Sequence, residues 1–308
     1  MTAKFVVAHR MDPNNVGDIA SNPLQYFLKR EEYEIIDVAS IGEMPYSEDL
    51  PLIVGGGGLI GNNFMGDFYG DLINSSDRLQ LEKMWGNGWN VFNPKYKDLY
   101  QRFNEKFQAL MSETLAEIPA NRAPRFIWGA GHNGESESEF TKIKWPKAFS
   151  AYREIGLRDY NEHSRFQWAP CASCMHPALS KKYEIKNDII WFEHKKQLMK
   201  GNEFGEDPIP RFINSGGNVE QTIELLGSAN TILTNSYHGA YWGTLLKKKV
   251  LLVGAWSSKF KFMKHKPTIL GKKDHWKDFI ESAVIHETAL DECREATTKF
   301  WNKIKERT

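Results

Sequence analysis

Short apolar runs alternate with longer amphipathic stretches along the chain. The opening run Phe5-Val6-Val7-Ala8 predicts a strand. A polar loop ending Asn14-Asn15-Val16-Gly17-Asp18 follows, then a helix over 19–30 with Leu24, Phe27 and Leu28 on one face. Further strands are expected at 33–38 and at 52–54, the latter running straight into Gly55-Gly56-Gly57-Gly58. Residues 96–117 place Leu99, Phe103, Phe107, Leu110 and Leu115 near the helical period. Strands at 126–128 and 154–157 then deliver Gly129-Ala130-Gly131-His132 and Arg158-Asp159.

A stretch without clear period, 161–183, is rich in Pro, Cys, His and aromatics, and the domain junction is drawn inside it. This gives an N-terminal domain over 1–175 and a C-terminal domain over 176–308. The second half restarts with a strand at 188–192 and a glycine-containing loop or flap at 201–217. A helix at 219–226, a strand at 231–233, a helix beginning at Ala240 and a strand at 250–253 come next. The closing stretch, 287–305, has helical spacing and is expected to pack back on the body. Apolar strands alternating with helices predict parallel sheets whose ligands gather at the C-terminal strand ends. The fold class expected is therefore α/β, with two Rossmann-like domains facing a central cleft.

Composition narrows the function classes. A chain of 308 residues has room for two ordinary domains. Its 40 Lys plus Arg nearly balance its 39 Asp plus Glu, so no basic field recruits nucleic acid or an anionic membrane over long range. Anion selectivity, if present, is local. A hydrophobic share of 41% excludes wholesale disorder. No apolar run approaches the ~20 residues that span a bilayer. The first ten residues carry no basic-then-apolar leader, so a cytoplasmic protein without a transmembrane segment is expected.

Two of the three cysteines stand in Cys171-Ala172-Ser173-Cys174, with His176 just beyond. A structural zinc site needs four ligands, and neither a second Cys pair nor a close His pair accompanies them. Pro170 and Pro177 bracket a loop where a redox CxxC opens a helix. Free thiols and no metal are expected, with Cys293 in the core.

Candidate chemistry concentrates at strand ends. In Thr234-Asn235-Ser236-Tyr237-His238-Gly239, a strand meets a helix N-terminus, whose unpaired amides hold an anion while His238 exchanges a proton. The bland reading is a surface turn capped by Ser236. The glycine run lets backbone approach a ligand closely, but it lacks the Lys-Ser/Thr of a P-loop and fits GxGxxG only loosely, with Ile60 in last place. Asp18 is either a helix-end charge or an acid/base. Arg158 either pairs with Asp159 or offers its fork to a carboxylate or phosphate. His132 either touches a polyhydroxy acceptor or belongs to a surface loop.

Taken in order, Asn15-Val16-Gly17-Asp18, Val54-Gly55-Gly56-Gly57-Gly58-Leu59-Ile60, Trp128-Gly129-Ala130-Gly131, Gly156-Leu157-Arg158-Asp159 and Asn235-Ser236-Tyr237-His238-Gly239 resemble the polysaccharide pyruvyltransferase family over most of the chain. The resemblance implies two Rossmann-like domains in the manner of GT-B glycosyltransferases. It also implies transfer of pyruvate from phosphoenolpyruvate to a sugar as a ketal, with no cofactor beyond that co-substrate. On it, His238, Asp18 and Arg158 are catalytic, with His238 as the acid. Arg158, Ser236, Tyr237, His238 and Gly239 hold the donor. Asn15, Gly17, Gly55, Gly56, Gly57, Gly58 and His132 line the acceptor side or cleft. The acceptor is a sugar or oligosaccharide, lipid-linked or nucleotide-linked. One departure stands out: many members have Arg where this chain has Ser236. That substitution keeps alive a glycosyltransferase using a nucleotide-activated sugar. A third expectation is a non-catalytic carbohydrate-binding protein, whose 10 Trp and 11 Tyr stack on sugar rings.

Overall fold

The computed structural model describes residues 3–37, 47, 49–59, 123–132, 152–160, 162, 164, 166–195, 198, 209–255, 257–271 and 273–308. The helix expected over 96–117 lies outside these residues, as do Ile60 and 201–208 of the expected flap.

Two parallel sheets carry the fold. The first contains β1 (Phe5–His9), β2 (Tyr33–Asp37), β3 (Leu52–Gly55), β4 (Arg125–Ala130), β5 (Glu154–Leu157) and β6 (Gln167–Trp168), in the order β2-β1-β3-β4-β5-β6. The second contains β7 (Asn187–His194), β8 (Arg211–Asn214), β9 (Ala229–Thr234), β10 (Lys249–Leu252) and β11 (Thr268–Ile269), in the order β11-β10-β9-β7-β8. Each sheet repeats one topology. The chain steps from the first strand to one neighbour, then returns to the other side, so a switch point opens between β1 and β3 and between β7 and β9. Ligands of parallel sheets bind outside the strand C-termini at such points.

The apolar runs explain both sheets. Along β1, Phe5 and Val7 point to one face with Ile53, Phe126 and Trp128, while Val6 and Ala8 join Val54 and Ile127 on the other. In the second sheet, Ile190, Ile232 and Val250 face one core and Trp191, Leu233 and Leu251 the other. Burial on both faces is what a near-continuous Val/Ile/Leu strand encodes.

Two helices are exchanged between the halves. The short α1 (Val16–Ala20) follows β1, yet Val16 and Ala20 bury in the second sheet's core beside Ile223 and Leu226 of α2 (Val219–Gly227). After α3 (Tyr237–Leu245), the terminal α4 (Ala289–Arg307) places Ala289 and Cys293 in that same core. Its second half buries Phe300, Trp301 and Ile304 under the first sheet. Trp301 stacks on Trp128 with ring centroids 5.7 Å apart, and Phe300 meets the same indole edge-on at 5.8 Å. An amphipathic helix with a turning apolar stripe thus straps one sheet to the other.

Several expectations need correction. The helix over 19–30 is instead α1 followed by single 3₁₀ turns at Leu24–Tyr26 and Arg30–Glu32. Pro23 has no N–H to continue a helix, and Asn22 accepts the Leu24 N–H at 3.0 Å. The C-terminal part of the expected flap is the edge strand β8, whose exposed Ile213 and Arg211 conceal its pairing with β7. The helix expected from Ala240 begins at Tyr237, which moves Tyr237 and His238 from the preceding turn into the first helical turn.

Candidate functional site

The two switch points face each other, and the residues between them come from both sheets. Asn15, just past β1, caps α1: its Oδ1 accepts the Gly17 N–H at 3.1 Å, and its Nδ2 donates to Asp18 Oδ2 at 3.0 Å. Asp18 is therefore not the cap. Across the gap, Asn214 at the end of β8 donates to Ser236 Oγ at 3.2 Å and approaches Asn15 Oδ1 at 3.4 Å. Lys195 after β7 donates to Asp12 at 2.6 Å and to the Asn14 carbonyl at 3.1 Å. Both loops after the first strands are thus tied together by polar side chains.

Gly17 permits the closest approach. A Cβ there would stand 2.5 Å from His238 Cε1 and nearer still to Nδ1, so only glycine lets α1 lie against that ring. Ser236 occupies the N-cap position of α3 but makes no side-chain cap bond, because its hydroxyl is engaged by Asn214. The surface-turn reading fails: Asn235, Ser236, Tyr237 and His238 are all buried, and every residue of α3, Gly239 included, is buried as well. A helix apolar or small all round is an interior helix.

His238 sits on Trp242, with ring centroids 4.9 Å apart, and edge-on to Tyr237 at 5.3 Å. Its Nε2 lies 3.6 Å from Cys171 Sγ. Burial, then the nearby cations of Arg158 and Lys259, push its pKa down to about 3. The ring is neutral at physiological pH, and the expected imidazolium acid is not its resting form.

Arg158 leaves β5 into the interior at 4% exposure. Its guanidinium lies 4.1 Å over the Tyr237 ring, donates from Nη2 to the His132 carbonyl at 3.1 Å, and places Nε 3.7 Å from Asp159 Oδ1. It pairs with Asp159, as the structural reading expected, and it also faces α3. The carboxyl of Asp159 is raised to about 6 by burial, against the pull of Arg158 and of the His132 N–H, which donates to it at 2.6 Å. His132 is fully buried, with its ring against Phe262. It is not a surface-loop residue; its backbone holds Arg158 and Asp159 in place.

Gly55 and Gly56 pack under the site and Gly57 borders it. Gly56, at φ 84°, passes under the Ser21 carbonyl, where a side chain would collide. A Cβ on Gly57 would stand 3.9 Å from both Asp18 Oδ1 and Ser21 Oγ, in ordinary contact, and Gly58 is exposed. Asp18 is half-buried, and desolvation with the neighbouring Asp12 charge raises it to about 6 despite Arg10, Lys195 and Lys259.

Sequence reasoning missed Lys259. It follows β10 in the 3₁₀ turn Ser258–Phe260 and is 8% exposed. Burial, then Arg158, lower its ammonium to about 7, while Asp18 pulls it up. In sequence it belongs to Ser257-Ser258-Lys259-Phe260-Lys261, which reads as surface; the available signal was that the segment follows a strand C-terminus. Arg158, Lys259 and neutral His238, with Asp18 across the gap, make an environment suited to a small anion beside a hydroxyl-bearing group.

The three cysteines are free and buried, and among the described residues no group of three or more His, Cys, Asp or Glu is placed to hold a metal ion. Cys293 is in the core, as expected. A concavity of about 930 Å³ runs along the outer face of α4 beside Gln167, lined by Arg294, Lys299 and Lys303. It is open and charged, and the buried ionisable groups lie elsewhere, so the candidate site is the region between the two sets of strand ends. Among the described residues no helix is long and apolar enough to cross a membrane.

No model of a known protein family matches the chain, and no curated protein matches it either. Among solved structures, an uncharacterised protein from Klebsiella pneumoniae is similar at 15% identity over 88% of this chain and 93% of that one, with a TM-score of 0.39.

Proposed function

We propose that the protein is a GT-B-like transferase that moves the pyruvyl group of phosphoenolpyruvate onto a sugar diol as a ketal. The observation that carries this reading is the pair of buried cations, Arg158 and Lys259, converging from different sheets on His238 at the mouth of two facing switch points. Phosphoenolpyruvate is small and carries a carboxylate and a phosphate, and two buried cations from opposite walls suit two anionic groups. The position where many family members carry Arg is here Ser236, and Lys259 supplies a cation from another element.

Asp18, ionised above about pH 6, takes the proton of the attacking sugar hydroxyl as its oxygen bonds to C2 of the donor. The methylene carbon C3 gains a proton in the same addition. With His238 neutral, the proton comes from the Lys259 ammonium, whose pKa near neutrality suits a general acid. Phosphate then leaves C2, and the second hydroxyl closes the ketal as its proton passes to phosphate. His238 donates a hydrogen bond to the donor oxygens and orients them.

Incubation with phosphoenolpyruvate and candidate acceptors, followed by mass spectrometry, should show a pyruvyl adduct and released phosphate. A thermal shift with nucleotide sugars and none with phosphoenolpyruvate would sink the proposal in favour of glycosyl transfer. Sugar binding without turnover, unchanged in His238→Ala, would favour a binding protein. His238→Gln, which keeps an amide donor, should retain more activity than His238→Ala; equal loss in both would remove the hydrogen-bonding role.

A further inference from the structure

The cysteine loop has no part in the reaction as proposed, yet it is built into the back of the site. Residues 170–177 are held from two sides. Tyr241 of α3 donates its hydroxyl to the Cys171 carbonyl at 3.0 Å, and Arg294 of α4 donates Nε to the Cys174 carbonyl at 3.0 Å. A continuous line of polar atoms runs through this loop: Trp242 Nε1 to Ser173 Oγ at 3.0 Å, Ser173 Oγ to Cys171 Sγ at 3.2 Å, and Cys171 Sγ to His238 Nε2 at 3.6 Å. Ser173 and Cys171 are both fully buried.

Donor inventory orders the first two links of this line, and only a thiol-to-Nε2 third link also gives the thiol hydrogen an acceptor. An indole nitrogen only donates, so Ser173 Oγ accepts from Trp242. The serine hydroxyl then has one hydrogen left. Among the described residues, its oxygen meets only Trp242 and Cys171, so that hydrogen points to the sulfur. Burial keeps the thiol protonated, and with the Ser173 hydrogen directed at it the sulfur acts there as acceptor. The thiol hydrogen is therefore free to point at His238 Nε2. The reverse polarity, with Nε2–H donating to sulfur and S–H to Ser173, would strand the serine hydrogen in a dry interior, an arrangement native structures avoid.

We propose that Trp242, Ser173 and Cys171 form a one-way hydrogen-bond relay that fixes His238 as its Nδ1–H tautomer, making Ser173 and Cys171 positioning residues of the cleft. The proton then sits on Nδ1, the ring atom nearest Gly17, which has no hydrogen-bond partner among the described residues. A neutral imidazole so oriented presents a donor to a ligand oxygen without requiring an imidazolium between two cations. The catalytic consequence rests on the proposed role of His238 at the donor; the tautomer does not.

The test is a long-range proton–nitrogen correlation spectrum of the full chain with ring-labelled histidine at neutral pH, the His238 signals being assigned by their loss in His238→Gln. Wild type should carry its ring proton on Nδ1. Cys171→Ala should move it to Nε2, and Cys171→Ser, which restores an O–H donor, should return it to Nδ1. A wild-type proton on Nε2, or a Cys171→Ala spectrum identical to wild type, overturns the relay. In turnover assays Cys171→Ala should lower kcat with KM little changed, and Cys171→Ser should restore it; equal losses in both variants would reduce the loop to a packing role. An Nδ1–H tautomer in a protein that ignores phosphoenolpyruvate would leave the relay standing and remove the pyruvyl reading, so the two fail separately.

Discussion

Gly17 lies against the imidazole of His238 so closely that a single added methyl group would overlap the ring. One residue lies in α1, just after β1 of one sheet, the other in α3, just after β9 of the other. Their contact sets how near the two switch points stand, and everything proposed for the cleft depends on that separation.

Gly17→Ala tests it directly. Alanine favours a helix over glycine by about 1 kcal/mol, whereas forcing a methyl group into a packed interior costs about 1–3 kcal/mol. His238 cannot swing away, since Trp242, Tyr237 and Cys171 surround it. The clash should win: urea unfolding should show a lower midpoint at unchanged slope, and ligand-induced thermal shifts should shrink. A variant more stable than wild type would show that the ring yields.

Asp18 gives the acid limb of the activity profile. Its carboxyl is raised to about 6, so activity should climb as pH rises through that value, and Asp18→Asn should abolish the limb along with most turnover. The stability sign is opposite. Between the ordinary aspartate value of 3.8 and about 6 the folded protein holds a proton that the unfolded chain releases, so ionising Asp18 costs the fold stability as pH rises. Asp18→Asn should therefore unfold at a higher temperature than wild type at pH 7. A lower melting temperature there would contradict the desolvated environment assigned to this carboxylate.

Lys259 gives the alkaline limb. An ammonium lowered from 10.5 to about 7 loses its charge as pH rises past neutrality, and affinity for an anionic ligand should fall with it. Above that point binding must take up a proton, so the apparent Kd should rise about tenfold per pH unit. Lys259→Arg should flatten this dependence, because guanidinium stays charged. Between about 7 and 10.5 the unfolded chain holds a proton that the fold does not, so this group makes the fold more stable as pH rises. A Kd for phosphoenolpyruvate independent of pH from 6 to 9 in wild type would remove Lys259 from the anion site.

The α4 strap carries much of the connection between the halves. Phe300 is fully buried against Trp128, and Phe300→Ala should cost about 3–5 kcal/mol. Because α4 spans both cores, chemical unfolding should remain a single transition in wild type. In Phe300→Ala, a probe of Trp128 should respond before one of Trp242 if the first sheet loosens alone; coincident transitions would mean that the halves unfold together.

Part of this architecture was legible in the chain. The runs at β1, β3, β4, β5, β7, β9 and β10 announced parallel strands because burial on both faces demands unbroken apolar residues, and that demand is local. Arg158, Asp18, Gly17 and His238 were legible as strand-end residues for the same reason. The break at Pro23 was read through, although the missing N–H that ends the expected helix over 19–30 is a property of that residue alone. The edge strand β8 was not legible: with one neighbour and one exposed face, Arg-Phe-Ile-Asn carries no strong pattern.

The sequence by itself determined that the chain is α/β, that its polar and glycine-rich segments fall at strand C-termini, and that His238 follows a strand into a helix. Those features depend on hydrophobic period and turn chemistry within a few residues. Only the tertiary structure decided that His132 is interior, that Lys259 joins Arg158, and that Cys171 stands behind His238. Burial, and with it the direction of every pKa shift here, comes from segments tens of residues away: Gly17 against His238, Cys171 under the same ring, α4 closing over the first sheet. A histidine that reads as a proton donor in an exposed turn becomes a neutral ring once those segments remove its water and set two cations beside it.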